Sequence, residues 1–195
     1  MFQAIKSSFN FGRGLAVKNQ IMNFTVEKSI EILEHTPAVL EMMLQNVSAD
    51  WTENNEGGET WSVFDVLGHL VHGEKTDWIS RIEIILSDAP DKKFAPFDRF
   101  AQFEDSKGKT LRELLEEFKR LRKKNVDVLR SQKLTTENLE QKGVHPAFGK
   151  VTLAQLLATW TVHDLDHISQ ISRVMAKQYK EAVGPWTQYL KILNS

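Results

Sequence analysis

Apolar residues recur along this chain at steps of three and four residues, the spacing that places them on one face of an α-helix. The pattern predicts four long helices: one from about Thr25 to Val47, one from Ser62 to about Leu86, one opening at Thr110 and one opening at Thr152. No strand pattern or internal repeat competes with it. The predicted fold is therefore all-α, a four-helix bundle.

Three of these helices begin at capping signals. Ser62 is a good N-cap and is followed three positions later by Asp65. The segments Thr110–Glu113 and Thr152–Gln155 both show the pattern of a capping box. We therefore expect sharp helix starts at all three positions.

Proline and glycine mark the interruptions. Pro37 predicts a kink or a restart within the first helix, and residues 90–109 are expected to form an ordered connection that packs aromatic rings over the bundle. Residues 134–150 are predicted to be a loop. A short extra C-terminal helix is expected to start at Pro185.

The length of 195 residues fits one domain with a substantial core. We assign residues 22–195 to that domain. Residues 1–21 carry three basic side chains and no acidic one, and we interpret them as an N-terminal arm or an upstream extension. The interruptions by Asn10, Gly12 and Gly14 argue against a secretory signal there.

The charges nearly cancel, with 25 basic and 26 acidic side chains and a formal net charge of -1. A nucleic acid or an anionic membrane would find no basic surplus, so neither is an expected partner. The cluster Lys119–Lys124 looks basic, but Glu113, Glu116 and Glu117 share its helix. We interpret the cluster as a solvated face of ion pairs.

Cysteine is absent. Any metal must therefore be held by nitrogen and oxygen ligands. A chain without thiols is also typical of the reducing cytoplasm, where we expect this protein to work.

His163 and His167 lie four residues apart in the last long helix, which places both rings on one side of it. Both continue the buried stripe, where polar rings are costly unless they are paired. A metal ion or a hydrogen-bonded core would each supply that pairing. The spacing alone does not decide between the two.

A third ligand would have to come from the second helix. His69 lies on a stripe of small and polar residues that could equally face solvent, and His72 is three residues further on. Glu74 lies within the bulky apolar stripe, where an unpaired carboxylate is costly. On spacing alone, Glu74 competes with His69 as the third metal ligand. Alternatively, Glu74 is a hydrogen-bond partner of the ligands.

Three segments resemble the DinB-like (YfiT-like) family: 61–70 (WSVFDVLGHL), 163–171 (HDLDHISQI) and 183–186 (VGPW). The likeness extends from about Met22 to the C-terminus. It implies a four-helix bundle in which three histidines bind a divalent metal such as nickel or zinc. Carried over to this chain, those histidines are His69, His163 and His167.

Three protein ligands leave a coordination position open, as in catalytic sites. The resemblance therefore implies a metal-dependent enzyme acting on a small molecule, and relatives include transferases that use low-molecular-weight thiols. Gln170, Glu74 and Asp164 are the candidate auxiliary groups, although we expect Asp164 and Asp166 to be surface or helix-pairing residues. The alternatives are a metal- or ligand-binding bundle without turnover and a metal-free interaction protein.

Aromatic side chains are plentiful outside the four helices. They lie in the 94–103 segment, in residues 1–21 and around Trp186 and Tyr189. Leaving them all in water would create a large apolar patch. We therefore predict a homodimer whose interface includes the arm or the C-terminal helix.

Overall fold

A computed structural model describes residues 22–195, and the arm predicted at 1–21 lies outside the described residues. Within that range the helices are α1 (Val26–Leu44), α2 (Ala49–Glu53), α3 (Val63–Thr76), α4 (Trp78–Leu86), α5 (Ala101–Ser106), α6 (Leu111–Ser131), α7 (Thr136–Glu140) and α8 (Leu153–Lys177). Strands β1 (Lys142–His145) and β2 (Gly149–Thr152) precede α8, and two 3-10 helices follow it, Gly184–Tyr189 and Lys191–Leu193.

The bundle consists of α1, α3 with α4, α6 and α8. Helices α1 and α3 each pack against both α6 and α8. Apolar side chains fill two clusters, one around Trp78 and Trp160 and the other around Phe118 and Leu67. The predicted all-α four-helix bundle is confirmed.

The capping signals act as predicted. The Ser62 hydroxyl accepts from the backbone N–H of Asp65, and capping boxes open α6 at Thr110 and α8 at Thr152. Each satisfies backbone donors that a helix start leaves free. The starts of the helices that carry the histidines are therefore set by local sequence.

Two long helices differ from expectation. α1 runs through Pro37 as one helix, so no restart occurs; Thr36 and Pro37 are both buried, and packing compensates for the lost backbone bond. The second predicted helix divides at Asp77, whose carboxylate lies 2.7 Å from Arg81 Nη2.

The predicted loops contain more structure than expected. Residues 134–150 hold α7 and most of an antiparallel hairpin, so the expectation that no strand forms is wrong. The strands have only four residues each, too few for a clear alternation. The turn 146–148 joins them and leads into Gly149, the first residue of β2, which has a positive φ of 71°. The connection 90–109 contains α5, and the predicted short C-terminal helix forms as two 3-10 helices, the first of which begins at Gly184.

No helix of residues 22–195 is both long and apolar enough to cross a membrane.

Candidate metal centre

Three histidines from two helices meet between α3 and α8. His163 Nε2 lies 3.2 Å from His69 Nε2 and 3.1 Å from His167 Nε2. His69 and His167 are buried, and His163 is half-buried. The packing of α3 on α8 thus brings together the three residues that the family resemblance selected.

Burial controls the charge of these rings. It lowers the pKa of His69 to about 3 and that of His163 to about 2, and the neighbouring imidazole of His167 adds to both shifts. Burial also lowers the pKa of His167, and the hydrogen bond that His167 donates to Gln170 opposes this shift. All three rings are therefore neutral at pH 7, and each keeps one nitrogen lone pair.

The hydrogen bond of His167 sets its tautomer. Its Nδ1 lies 2.7 Å from Gln170 Oε1, an acceptor, so Nδ1 donates and the Nε2 lone pair faces the other two histidines. Within residues 22–195, the buried Nδ1 atoms of His69 and His163 have no hydrogen-bond partner. A cation between the Nε2 atoms would give all three lone pairs a partner, so the donor set fits a divalent metal that favours imidazole.

Aromatic rings enclose the histidines. Trp61 and Phe97 lie 5.0 and 5.5 Å from the His69 ring, and Trp78 lies 5.1 Å from the ring of His163. These walls lower the local dielectric and strengthen electrostatic interactions inside them. The arrangement resembles a small apolar site with a few convergent polar atoms.

A buried ion cluster lies directly behind the histidines. Arg122 is 1% exposed, and its Nη2 lies 2.9 Å from both Glu74 Oε1 and Asp164 Oδ1. Its Nη1 donates to Leu33 O at 2.9 Å. Arg122 therefore joins α6 to the two helices that carry the histidines, α3 and α8, and to α1.

This position corrects the interpretation of the basic cluster. Arg122 does not lie on a solvated face. It is buried and pairs with two buried carboxylates, which would be costly to bury without a counter-charge. Burial opposes that charge, but the attraction of Glu74 and Asp164 prevails and raises the pKa of Arg122. The sequence did contain a signal, since Glu74 within an apolar stripe required a partner.

The auxiliary candidates separate into two groups. Gln170 bonds to His167. Glu74 and Asp164 instead face Arg122, and Glu74 also accepts from Asn125 Nδ2 at 2.9 Å and from Trp160 Nε1 at 3.1 Å. The exposed Asp166 stays on the surface. Glu74 therefore lies apart from the three-histidine group. Asp164 is a helix-pairing residue, which was one of the two expectations for it.

The other histidines of the described chain lie apart from this group. His35 Nδ1 contacts Glu31 O at 2.6 Å, and His145 lies in the hairpin. His72 Nδ1 lies 2.9 Å from Asp105 Oδ2, which ties α3 to α5.

Comparisons with known proteins agree with this fold. The family model of the DinB superfamily matches residues 32–171. A solved structure, that of YfiT from Bacillus subtilis, has 22% sequence identity and a TM-score of 0.67, covering 83% of this chain and 91% of that one. It is described as a probable metal-dependent hydrolase with an unusual four-helix bundle topology. No curated protein matches. The chain belongs to the DinB superfamily.

Proposed function

We propose that this protein is a metal-dependent enzyme acting on a small molecule, and that His69, His163 and His167 hold its ion. The observation that carries the proposal is the approach of the three Nε2 atoms: those of His69 and His167 lie 3.2 and 3.1 Å from that of His163. Nickel and zinc are the metals we propose, because imidazole nitrogen suits both.

Such an ion, when bound, supplies a Lewis acid that polarises a carbonyl or eases the ionisation of water or a thiol. The chain's own residues position it. Gln170 orients the His167 ring through Nδ1. Arg122 fixes α3 against α8 through Glu74 and Asp164, which holds the ligand geometry.

Hydrolysis is the reaction that we favour. YfiT, whose fold this chain shares, is described as a probable metal-dependent hydrolase. Transfer of a low-molecular-weight thiol to a small electrophile is the second candidate, and the family resemblance supports it. Both reactions need a polarised acceptor and a nucleophile that loses a proton.

A metal-binding bundle without turnover is the alternative. The burial of His69 and His167, at 7% and 9% exposure, favours it, because a substrate must reach the ion past the aromatic rings. A measurement of turnover would distinguish the enzyme from the metal-binding bundle. We further propose that the enzyme works in the cytoplasm as a homodimer.

Protein without a histidine tag, stripped of metal and reloaded with zinc or nickel, tests the proposal. Hydrolysis of p-nitrophenyl acetate and transfer of cysteine to monobromobimane are measured for the loaded and stripped forms. We expect loading to raise one of these rates and His163→Ala to abolish the increase. A protein that binds the metal and accelerates neither reaction would support the alternative.

A further inference from the structure

A second constellation lies one helical turn from the three-histidine group. His72 Nδ1 lies 2.9 Å from Asp105 Oδ2, and His72 is only 7% exposed. A carboxylate that accepts from Nδ1 fixes the tautomer in which Nε2 keeps its lone pair. His72 therefore presents the lone pair of Nε2 in an orientation that Asp105 holds.

The second ring nitrogen of His72, Nε2, has no hydrogen-bond partner within residues 22–195, and it is not fully enclosed. His72 lines a cavity of about 310 Å³ between α3–α4 and the segment 95–101. The incompletely enclosed Nε2 thus belongs to a residue that lines this cavity.

The cavity adjoins the three-histidine group. His69 and His72 are three residues apart on α3, a spacing that makes them neighbours on the helix surface. The Phe97 ring lies 5.5 Å from the ring of His69 and 5.3 Å from that of His72. One aromatic side chain therefore bounds both, with the cavity on the His72 side.

The rest of the cavity wall is polar enough to hold a small polar molecule. It includes the hydroxyls of Thr76 and Ser80 and the ion pair of Asp77 with Arg81, whose Nη2 lies 2.7 Å from Asp77 Oδ1. Its volume suits a compact ligand.

We propose that the substrate binds in this cavity with its reacting carbonyl directed past Phe97 towards the three-histidine group, and that His72, oriented by Asp105, is the general base. The proposal rests on the proposed metal-dependent function. In hydrolysis, water gives a proton to His72 Nε2 while its oxygen forms the bond to the carbonyl carbon. The same proton then passes from Nε2 to the leaving group as the bond between the carbon and that group breaks.

A purely structural role for the pair is the competing account. Asp105 lies on α5, which packs closely on α3, so the hydrogen bond could serve only to hold α5 in place. A hydrogen bond that only holds α5 in place does not require an accessible Nε2 on His72, whereas a general base does. The reactivity of that nitrogen therefore discriminates between the two accounts without any substrate.

Diethyl pyrocarbonate, which acylates accessible imidazole nitrogen, is the probe. Zinc-loaded protein is labelled briefly, and the extent of modification at His72 and at the exposed His35 is read by peptide mass spectrometry. We expect His72 to react at least as fast as His35, and Asp105→Asn to slow His72 alone. An unreactive His72, or one whose rate ignores Asp105→Asn, overturns the proposal.

Turnover supplies the second measurement. In zinc-loaded protein, His72→Gln should lower kcat for p-nitrophenyl acetate by about 100-fold or more, with KM and zinc content unchanged. An unchanged kcat overturns the role of His72. If the wild type binds zinc but does not turn over the ester, hydrolysis itself is rejected, and the labelling result alone decides whether His72 is an activated base.

Discussion

Arg122 Nη2 lies 2.9 Å from Asp164 Oδ1, and Asp164 is the chain neighbour of His163. The same nitrogen lies 2.9 Å from Glu74 Oε1 on α3. One guanidinium thus connects both helices of the candidate metal centre. We therefore expect the histidine geometry to depend on this charge, which lies outside the three-histidine group.

Replacing Arg122 by Met should lower the free energy of unfolding by about 3–5 kcal/mol, because two buried carboxylates would lose their counter-charge. Arg130→Met is the matched control on the same helix. Its ion pair with Glu34 is exposed, so its loss should lower the free energy of unfolding far less than the loss of Arg122. Urea denaturation of both variants measures the difference, and equal losses would contradict the role given to the buried cluster.

The stability of the metal-free protein should depend on pH through the buried histidines. The folded-state pKa values, about 3 for His69 and about 2 for His163, lie below the ordinary 6.5. Below pH 6.5 the unfolded chain therefore binds protons that the folded chain does not. The free energy of unfolding should fall as pH falls from 6.5 towards 3, by up to about 1.4 kcal/mol per pH unit for each histidine.

His69→Gln should make that slope shallower by about one proton's contribution, whereas the exposed His35→Gln should leave it unchanged. Urea unfolding of stripped protein across this pH range is the measurement. Parallel pH profiles for wild type and His69→Gln would show that His69 is not held neutral by burial.

Helix α5 packs tightly against α3 at Gly68. A Cβ there would lie 2.5 Å from Ser106 Oγ and 2.7 Å from Gln102 Oε1. Gly68→Ala should therefore cost about 1–3 kcal/mol and displace α5, which carries Asp105. Gly73→Ala in the same helix meets only Trp78 Nε1 at 3.4 Å and should be neutral or stabilising by up to about 1 kcal/mol. Equal melting temperatures for the two variants would contradict this.

We expect the C-terminal segment to contribute to the interface of the predicted homodimer. Trp186 and Tyr189 are 67% and 75% exposed, which leaves two large rings for a partner surface. Light scattering at micromolar concentration should give a dimer mass, and Trp186→Ser with Tyr189→Ser should reduce it. A monomer mass for the wild type, unchanged on deletion of residues 1–21, would remove the case for dimerisation.

Much of the fold could be predicted because local chemistry dictates it. Helical periodicity and the caps at Ser62, Thr110 and Thr152 depend on residues within one turn of each other. The hairpin was missed because its strands are held by pairing across a turn and by Phe94, whose N–H bonds to Val144 O at 3.0 Å. Such a contact leaves no periodic signal.

The candidate metal centre could be predicted from the sequence only in part. The spacing of His163 and His167 indicated a shared face, but no spacing could choose His69 over Glu74, because that depends on how α3 packs on α8. The burial of Arg122 could not be predicted either, because it also depends on how the helices pack. A run of charged residues shows which residues are neighbours in the sequence but not which side chain points into the core. The His72–Asp105 pair joins two helices and has no sequence pattern of its own.

Metal analysis of protein purified without a histidine tag and reloaded with zinc tests whether the three histidines hold an ion. We expect about one ion per chain, lost in His69→Ala, His163→Ala and His167→Ala. His35→Gln and His72→Gln should both keep it. Full occupancy in the three alanine variants, or none in the wild type, would contradict the three-histidine metal centre.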